Sequence, residues 1–211
     1  MRIVLLGSPA SGKGTQGRRI AASLGLGYLS TGVLLRENII GRTELGLAAE
    51  PILARGGYLP DDLMCPILAD WLAANDSSSG WVLDGFPRSL PQAEFLDGWL
   101  AEHGSALDAA VVLEAPFDVL LRRIRDRVEC FDCRWSGQRS ELSEIGNCPK
   151  CGGSAAPRAD DCEANFRNRY AEFVSLTIPV IDFYRKGGRL TSVPATGSKN
   201  ETAAIILGLL A

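Results

Sequence analysis

Short, unbroken apolar runs alternate along this chain with longer stretches in which apolar and polar residues are mixed. Arg2-Ile3-Val4-Leu5-Leu6, Trp81-Val82-Leu83 and Ala109-Ala110-Val111-Val112-Leu113 read as strands covered on both faces, because such strands show no polar alternation. Gly27-Tyr28-Leu29 and Arg189-Leu190-Thr191-Ser192-Val193 complete a set of five. Helices are expected over 16–24, 33–40, 44–55, 62–74, 91–103 and 117–125. Gly25 should stop the first of these, Thr43 should cap the third, and Gly56-Gly57 should end it. Asp61 is placed to cap the fourth, and Asn75-Asp76-Ser77-Ser78-Ser79-Gly80 is a polar connector. After residue 159 a long helical stretch is dented by Pro179, and Ser198 with Glu201 forms a capping box for a terminal helix. Strands alternating with helices predict an α/β fold: a three-layer α/β/α sandwich around a five-stranded parallel sheet, with ligands at the strand C-termini.

The length of 211 residues suits one domain with insertions, and 46% apolar with 22% charged residues is ordinary for a globular protein. A formal net charge of −3 argues against a general nucleic-acid or membrane-surface binder. No stretch approaches the length of a membrane span. Met1-Arg2 leads directly into the first strand, so a cleavable signal is not expected. Together these features point to a soluble cytoplasmic enzyme.

The chemistry begins where the first strand ends. Gly7-Ser8-Pro9-Ala10-Ser11-Gly12-Lys13-Gly14-Thr15 is a glycine-rich loop between a buried strand and a helix, the context that makes a phosphate cradle. Backbone N–H groups without a Cβ in the way can wrap a polyphosphate, the helix dipole adds to them, and Lys13 supplies a mobile charge. The strict pattern places a hydroxyl directly after the lysine, whereas here Gly14 intervenes and the hydroxyl falls on Thr15.

One segment breaks the alternation. Cys130-Phe131-Asp132-Cys133 is followed fourteen residues later by Cys148-Pro149-Lys150-Cys151. Paired CxxC units match a structural tetrahedral Zn²⁺ site, although the gap is just under the usual ~15–20 residues. Two disulfides, or four unrelated buried thiols, are the alternatives; a reducing compartment opposes the first and the doubled spacing the second. The enclosed polar residues hold few core candidates, so a metal would supply the folding energy of a small lobe. Cys65 reads as a packing residue, and Cys162 has no chemical part.

Two further constellations describe a second substrate. Ser30-Thr31 and, five residues on, Arg36 stand at the top of the second strand, and Asp84-Gly85-Phe86-Pro87-Arg88 with Gln92 follows the third. A carboxylate at that strand end can hold Mg²⁺ through water. Arg88 is poised over phosphates, and the Gln92 amide can read a base edge.

With these residues in view, the chain resembles the adenylate kinases of the long, zinc-bearing-lid type. The match covers the loop, Ser30 to Arg36, Gly56 to Asp61, Asp84 to Gln92, the four cysteines, Arg158-Ala159-Asp160-Asp161 and Thr177-Ile178-Pro179. The resemblance implies reversible Mg²⁺-dependent transfer between ATP and AMP to give ADP, by a monomer with no nucleic-acid or membrane partner. It implies that Ala10 to Thr15 hold the ATP phosphates, that Arg123 stacks on the ATP adenine, and that Ser136, Gly137 and Gly197 give backbone contacts. Thr31, Arg36, Gly57, Tyr58, Leu59, Gly85, Phe86, Pro87, Arg88, Gln92, Arg158 and Arg169 would hold AMP. Arg127, Arg158 and Arg169 would embrace the phosphates, so that Lys13, Asp84, Arg88, Arg127, Arg158 and Arg169 form the catalytic set. The implied parts are a P-loop core (1–29, 60–125, 160–211), a helical AMP-binding arm (30–59) and a zinc-binding lid (126–159).

Four positions depart from the family pattern. Ala10 replaces a glycine and tolerates its Cβ only if φ is negative. Val33 forfeits a polar cap at a helix start, Val128 removes one lid charge, and Arg134 follows Cys133 where glycine is common. The finger is also two residues short. A sibling kinase using another monophosphate or GTP, and a catalytically idle P-loop zinc protein, are the alternatives. Thr31 with Gln92 and the cysteine lid oppose the first; acidic charge and intact Lys13, Asp84 and Arg88 oppose the second.

Overall fold

The computed structural model describes residues 1–75 and 79–210, so the middle of the expected polar connector, residues 76–78, lies outside the described residues. Strand β1 (Arg2–Leu6) is the centre of a parallel sheet with β2 (Gly27–Ser30), β3 (Trp81–Asp84), β4 (Ala109–Glu114) and β8 (Leu190–Pro194). The order β2-β3-β1-β4-β8 puts the chain's first strand between β3 and β4, with every pairing parallel. Its successive side chains enter two different cores. Val4 and Leu6 pack with Leu83, Val112, Leu68, Leu96 and Tyr184, whereas Ile3 and Leu5 pack with Val82, Val111, Ile20 and Ile206. The period of two thus builds both faces of the sandwich from one apolar run, as predicted.

Helices α1 (Lys13–Leu24) and α9 (Lys199–Leu210) cover one face. Helices α4 (Asp61–Asn75), α5 (Leu90–Glu102) and α8 (Ile178–Lys186) cover the other. Gly25 ends α1 in the left-handed conformation, Thr43 caps α3 (Glu44–Ala54) by accepting the Gly46 N–H, and Ser198 with Glu201 forms the reciprocal capping box of α9. The dent before Pro179 is a π-turn at Phe173–Thr177, where the Ile178 N–H reaches back five residues to the Phe173 carbonyl. Proline has no N–H for a normal turn, and the widened one accommodates it.

Helix α1 begins at Lys13, three residues earlier than expected, because the Gly12 carbonyl already accepts the Thr15 and Gln16 N–H groups. Asp61 is a further correction. It starts α4, but its carboxylate takes Ser89 Oγ (2.8 Å) and Gln92 Nε2 (2.6 Å). Helix α2 (Thr31–Ile40) follows β2 directly and begins two residues earlier than expected; its N-cap Ser30 makes no side-chain cap bond, and Val33 lies inside the first turn rather than at the helix start.

Helix α6 (Phe117–Asp126) leads into a second sheet of antiparallel strands β5 (Arg127–Cys130), β6 (Ser136–Gln138) and β7 (Ala155–Ala156), ordered β6-β5-β7. Helix α7 (Glu163–Glu172) returns the chain to the main body, capped by Cys162, whose Sγ accepts the Asn165 N–H.

Candidate active site

A cleft of about 430 Å³ lies over the C-terminal ends of β1 and β3, flanked by α2, β5, β6 and the start of α9. Its floor is the glycine loop. Gly7 has φ 135° and sits against β4, where a Cβ would come 2.6 Å from the Leu113 carbonyl oxygen. Lys13 folds back, its Nζ donating to the carbonyls of Gly7 (2.6 Å) and Ser8 (2.8 Å). Burial, opposed by Asp84 and reinforced by Arg88 and Arg127, lowers its pKa to about 8. Ser11 Oγ is buried in the same loop with no hydrogen-bond partner. A buried hydroxyl without a partner is costly, and an anion held by the loop would satisfy it.

Ala10 overturns one expectation, since its φ is +64° rather than negative. Arg134, the other position where glycine is usual, also has a positive φ, 56°.

Asp84, at the end of β3, is held on one oxygen: Oδ2 accepts from the Tyr28 hydroxyl (3.1 Å) and from Ser30 Oγ (3.2 Å). Space for the phenol comes from α1, where a Cβ on Gly17 would meet Tyr28 Cε2 at 2.6 Å. Asp84 and the Thr15 hydroxyl both line the cleft with hard oxygen donors, the set that suits Mg²⁺ and its waters.

The next turn orients Arg88. Gly85 has φ 87°, and a Cβ there would lie 2.5 Å from Thr31 Oγ1 and 2.9 Å from Arg88 Nη2. Arg88 Nε donates to the Gly85 carbonyl (2.7 Å), its guanidinium carbon stands 4.2 Å from the Tyr58 ring centroid, and Thr177 Oγ1 binds its carbonyl (2.9 Å). Thr31 donates its hydroxyl to the Gly85 carbonyl (3.0 Å), so it supports this turn from below rather than lining the cleft. Phe86 is fully buried. Gln92 lies in an adjoining cavity of about 230 Å³ with Tyr58, Leu59 and Leu176. Its amide is fixed at both ends, by Asp61 on Nε2 and by the Arg88 N–H on Oε1 (2.8 Å).

Basic residues close the cleft from other segments. Arg36, Arg123, Arg127, Arg158 and Arg169 all line it, as do Gly57, Tyr58, Leu59, Ser136, Gly137 and Gly197. Arg123 is anchored on the Ala195 carbonyl (2.6 Å). Arg127 makes a two-pronged pair with Asp161, and Arg158 and Arg169 share Asp160. Burial penalises the Asp160 charge, but Arg158 and Arg169 outweigh it and hold the carboxyl far below the usual range. Arg36 is lowered to about 10 by burial and by the Arg158 charge, against Glu129. Sequence reasoning placed the arginines but missed the acids that aim them, Asp160, Asp161 and Glu129, along with Tyr28, Asp61 and Lys199. An acid pair two residues after Arg158, and a glutamate in the run Val128-Glu129-Cys130, were the available signals.

Beside the second sheet, the four cysteine sulfurs lie within 4.8 Å of one another. Cys130 and Cys151 sulfurs are 3.6 Å apart and those of Cys133 and Cys148 3.7 Å, and all are free thiols. A disulfide needs a separation of about 2 Å. Four thiolates around a Zn²⁺ at ~2.3 Å stand about 3.8 Å from each other. Burial works against a Cys148 thiolate, but the N–H groups of Lys150 and Cys151 and the neighbouring thiols bring its pKa down to about 7.

Comparison with known proteins bears on this geometry. The family model for adenylate kinase matches residues 5–189. The chain belongs to the adenylate kinase family. It is similar to the adenylate kinase of Thermodesulfovibrio yellowstonii, at 40% identity over 212 residues that cover 100% of this chain and 99% of that one. The adenylate kinase of Agathobacter rectalis is 36% identical over the same coverage, and that of Streptomyces coelicolor 39% identical over 95% of this chain and 94% of its own. Family membership fits a loop and basic cleft at the C-terminal edge of the sheet, with an appended lobe carrying the cysteines.

Proposed function

We propose that this chain catalyses reversible phosphoryl transfer, ATP + AMP to two ADP, with Mg²⁺ accompanying ATP. The observation that carries the reading is the convergence of Lys13, Arg36, Arg88, Arg127, Arg158 and Arg169 on one cleft whose loop buries an unpartnered Ser11 hydroxyl. Transfer between phosphoanions asks the protein for charge neutralisation, alignment and exclusion of water. Ala10 to Thr15, Arg123, Ser136, Gly137 and Gly197 hold ATP. Arg36, Arg158, Arg169, residues 57–59 and Gly85 to Arg88 hold AMP, with Thr31 supporting Gly85. Gln92 offers its amide to the base, and the bonds that fix it to Asp61 and Arg88 make it a rigid reader. Mg²⁺ would be held through water by Asp84 beside Thr15, and would neutralise the transferring phosphates. No general base is required, because the AMP phosphate is itself the nucleophile.

The arm at 30–59 and the lid at 126–159 close on the core around both nucleotides. The cysteine quartet holds one structural Zn²⁺, leaving no open coordination position for substrate. Residence in the cytoplasm as a monomer belongs to the same reading and is supported by the family resemblance; sedimentation at micromolar concentration checks the oligomeric state. A coupled assay of ADP formation across donors and acceptors tests the whole. ATP with AMP should be the fastest pair; a faster UMP, CMP or GTP reaction would establish a sibling kinase, and no transfer at all an idle binding protein.

A further inference from the structure

Three carboxylates line the cleft: Asp84, Glu129 and Asp160. Asp84 is engaged by hydroxyls, and Asp160 by Arg158 and Arg169 on the chain that leaves the lid. Glu129 differs from both. It sits in lid strand β5 with its side chain 11% exposed, 3.5 Å from Arg158 Nε and 4.0 Å from Arg36 Nη2. Those two arginines approach from separate segments, and Arg36 belongs to α2. Without an anion between them they would repel, and each is substantially withdrawn from solvent. The next residue of α2, Glu37, faces the lid's Arg134 at 3.7 Å, so a second pair of opposite charge spans the same gap.

We propose that Glu129 is an internal stand-in for the acceptor phosphate, drawing Arg36 and Arg158 together across the cleft when AMP is absent and competing with the AMP phosphate for the same two guanidinium groups. Glu129 is then a positioning residue, and the inference rests on the acceptor-site reading given above. A phosphate brings more negative charge than one carboxylate and can engage both arginines by itself. In the AMP complex the glutamate is therefore surplus, and its charge opposes the incoming dianion.

Glu129→Gln keeps the shape and removes the charge. Calorimetric titration should show AMP binding the variant roughly two- to fivefold more tightly than the wild type, the span expected of a partly exposed ion pair. Adenosine, which has no phosphate, should bind both proteins alike, and Glu129→Asp should stay near the wild-type AMP affinity. Unchanged or weaker AMP binding by Glu129→Gln overturns the proposal, as does an equal gain for adenosine, which would mark a structural effect. A wild-type protein that binds ATP but no AMP would instead overturn the acceptor-site reading, and the proposal with it.

Discussion

A methyl group at φ +64° makes Ala10 the most exposed liability in the phosphate loop. A left-handed L-residue costs about 1–2 kcal/mol, and glycine's extra unfolded-state freedom returns part of that gain. Ala10→Gly should therefore stabilise the protein by about 0.5–1 kcal/mol, read as a higher urea midpoint at unchanged slope; an equal or lower midpoint would show that the methyl packing against Leu120 and Phe166 outweighs the strain. Arg88 illustrates the opposite case, a side chain whose shape is fully used. Its Nε is committed to the Gly85 carbonyl and its guanidinium carbon lies over the Tyr58 ring, which leaves the Nη groups to address the cleft. Lysine offers neither the fork nor the stacking plane, so Arg88→Lys should lower kcat about a hundredfold with charge retained. Near-normal turnover with AMP would reduce Arg88 to a structural residue.

Among the elements, the inner strands β1, β3 and β4 were the most legible, because a parallel sheet buried on both faces leaves a short unbroken apolar run, whereas the short strands β5, β6 and β7 carry no such run and were not anticipated. The glycine loop was legible for a related reason, as its residue types are dictated by the backbone path. Less visible was whatever depends on partners distant in sequence. Asp61 looks locally like a helix cap, but packing brings Gln92 to it from α5. Likewise Asp160 and Asp161 acquire meaning only when Arg127 and Arg169 fold onto them. The cysteine-bearing lobe stands between these cases, since its clustered cysteines were readable but its arginine scaffold was not. Its four sulfurs lie within 4.8 Å of one another, while Arg127 and Arg158 are held by Asp161, Asp160 and Glu129 rather than by the cysteines. Cys148→Ser with Cys151→Ser should thus abolish one equivalent of zinc and lower the melting temperature, yet keep part of the activity in the cold. Metal-free wild-type protein purified under reduction would reject the site. A folded but wholly inactive variant would show that the metal, not the acids, places the arginines.

On the scale of the whole molecule, charge is distributed unevenly. The chain carries a net −3, yet among the described residues nine lysines and arginines line the cleft against three carboxylates. Held this close, cations penalise one another and the empty fold. Lys13 registers that penalty, its pKa brought from 10.5 to about 8 chiefly by burial and then by Arg88 and Arg127 against Asp84. The unfolded chain holds the Lys13 proton up to its ordinary value, so between these two pH values the unfolded state binds more protons than the folded one. Stability must then rise with pH across that window, and below about 8 the full cost of the buried charge remains. Chemical denaturation from pH 7 to 10 should show this increment in the wild type, and Lys13→Met should lack it. Saturating inorganic tripolyphosphate should also remove it from the wild type, because an anion in the loop keeps the lysine charged throughout the range. Parallel curves for wild type and Lys13→Met would mean that the folded lysine titrates as it does in water, and that the loop does not use it as a buried charge.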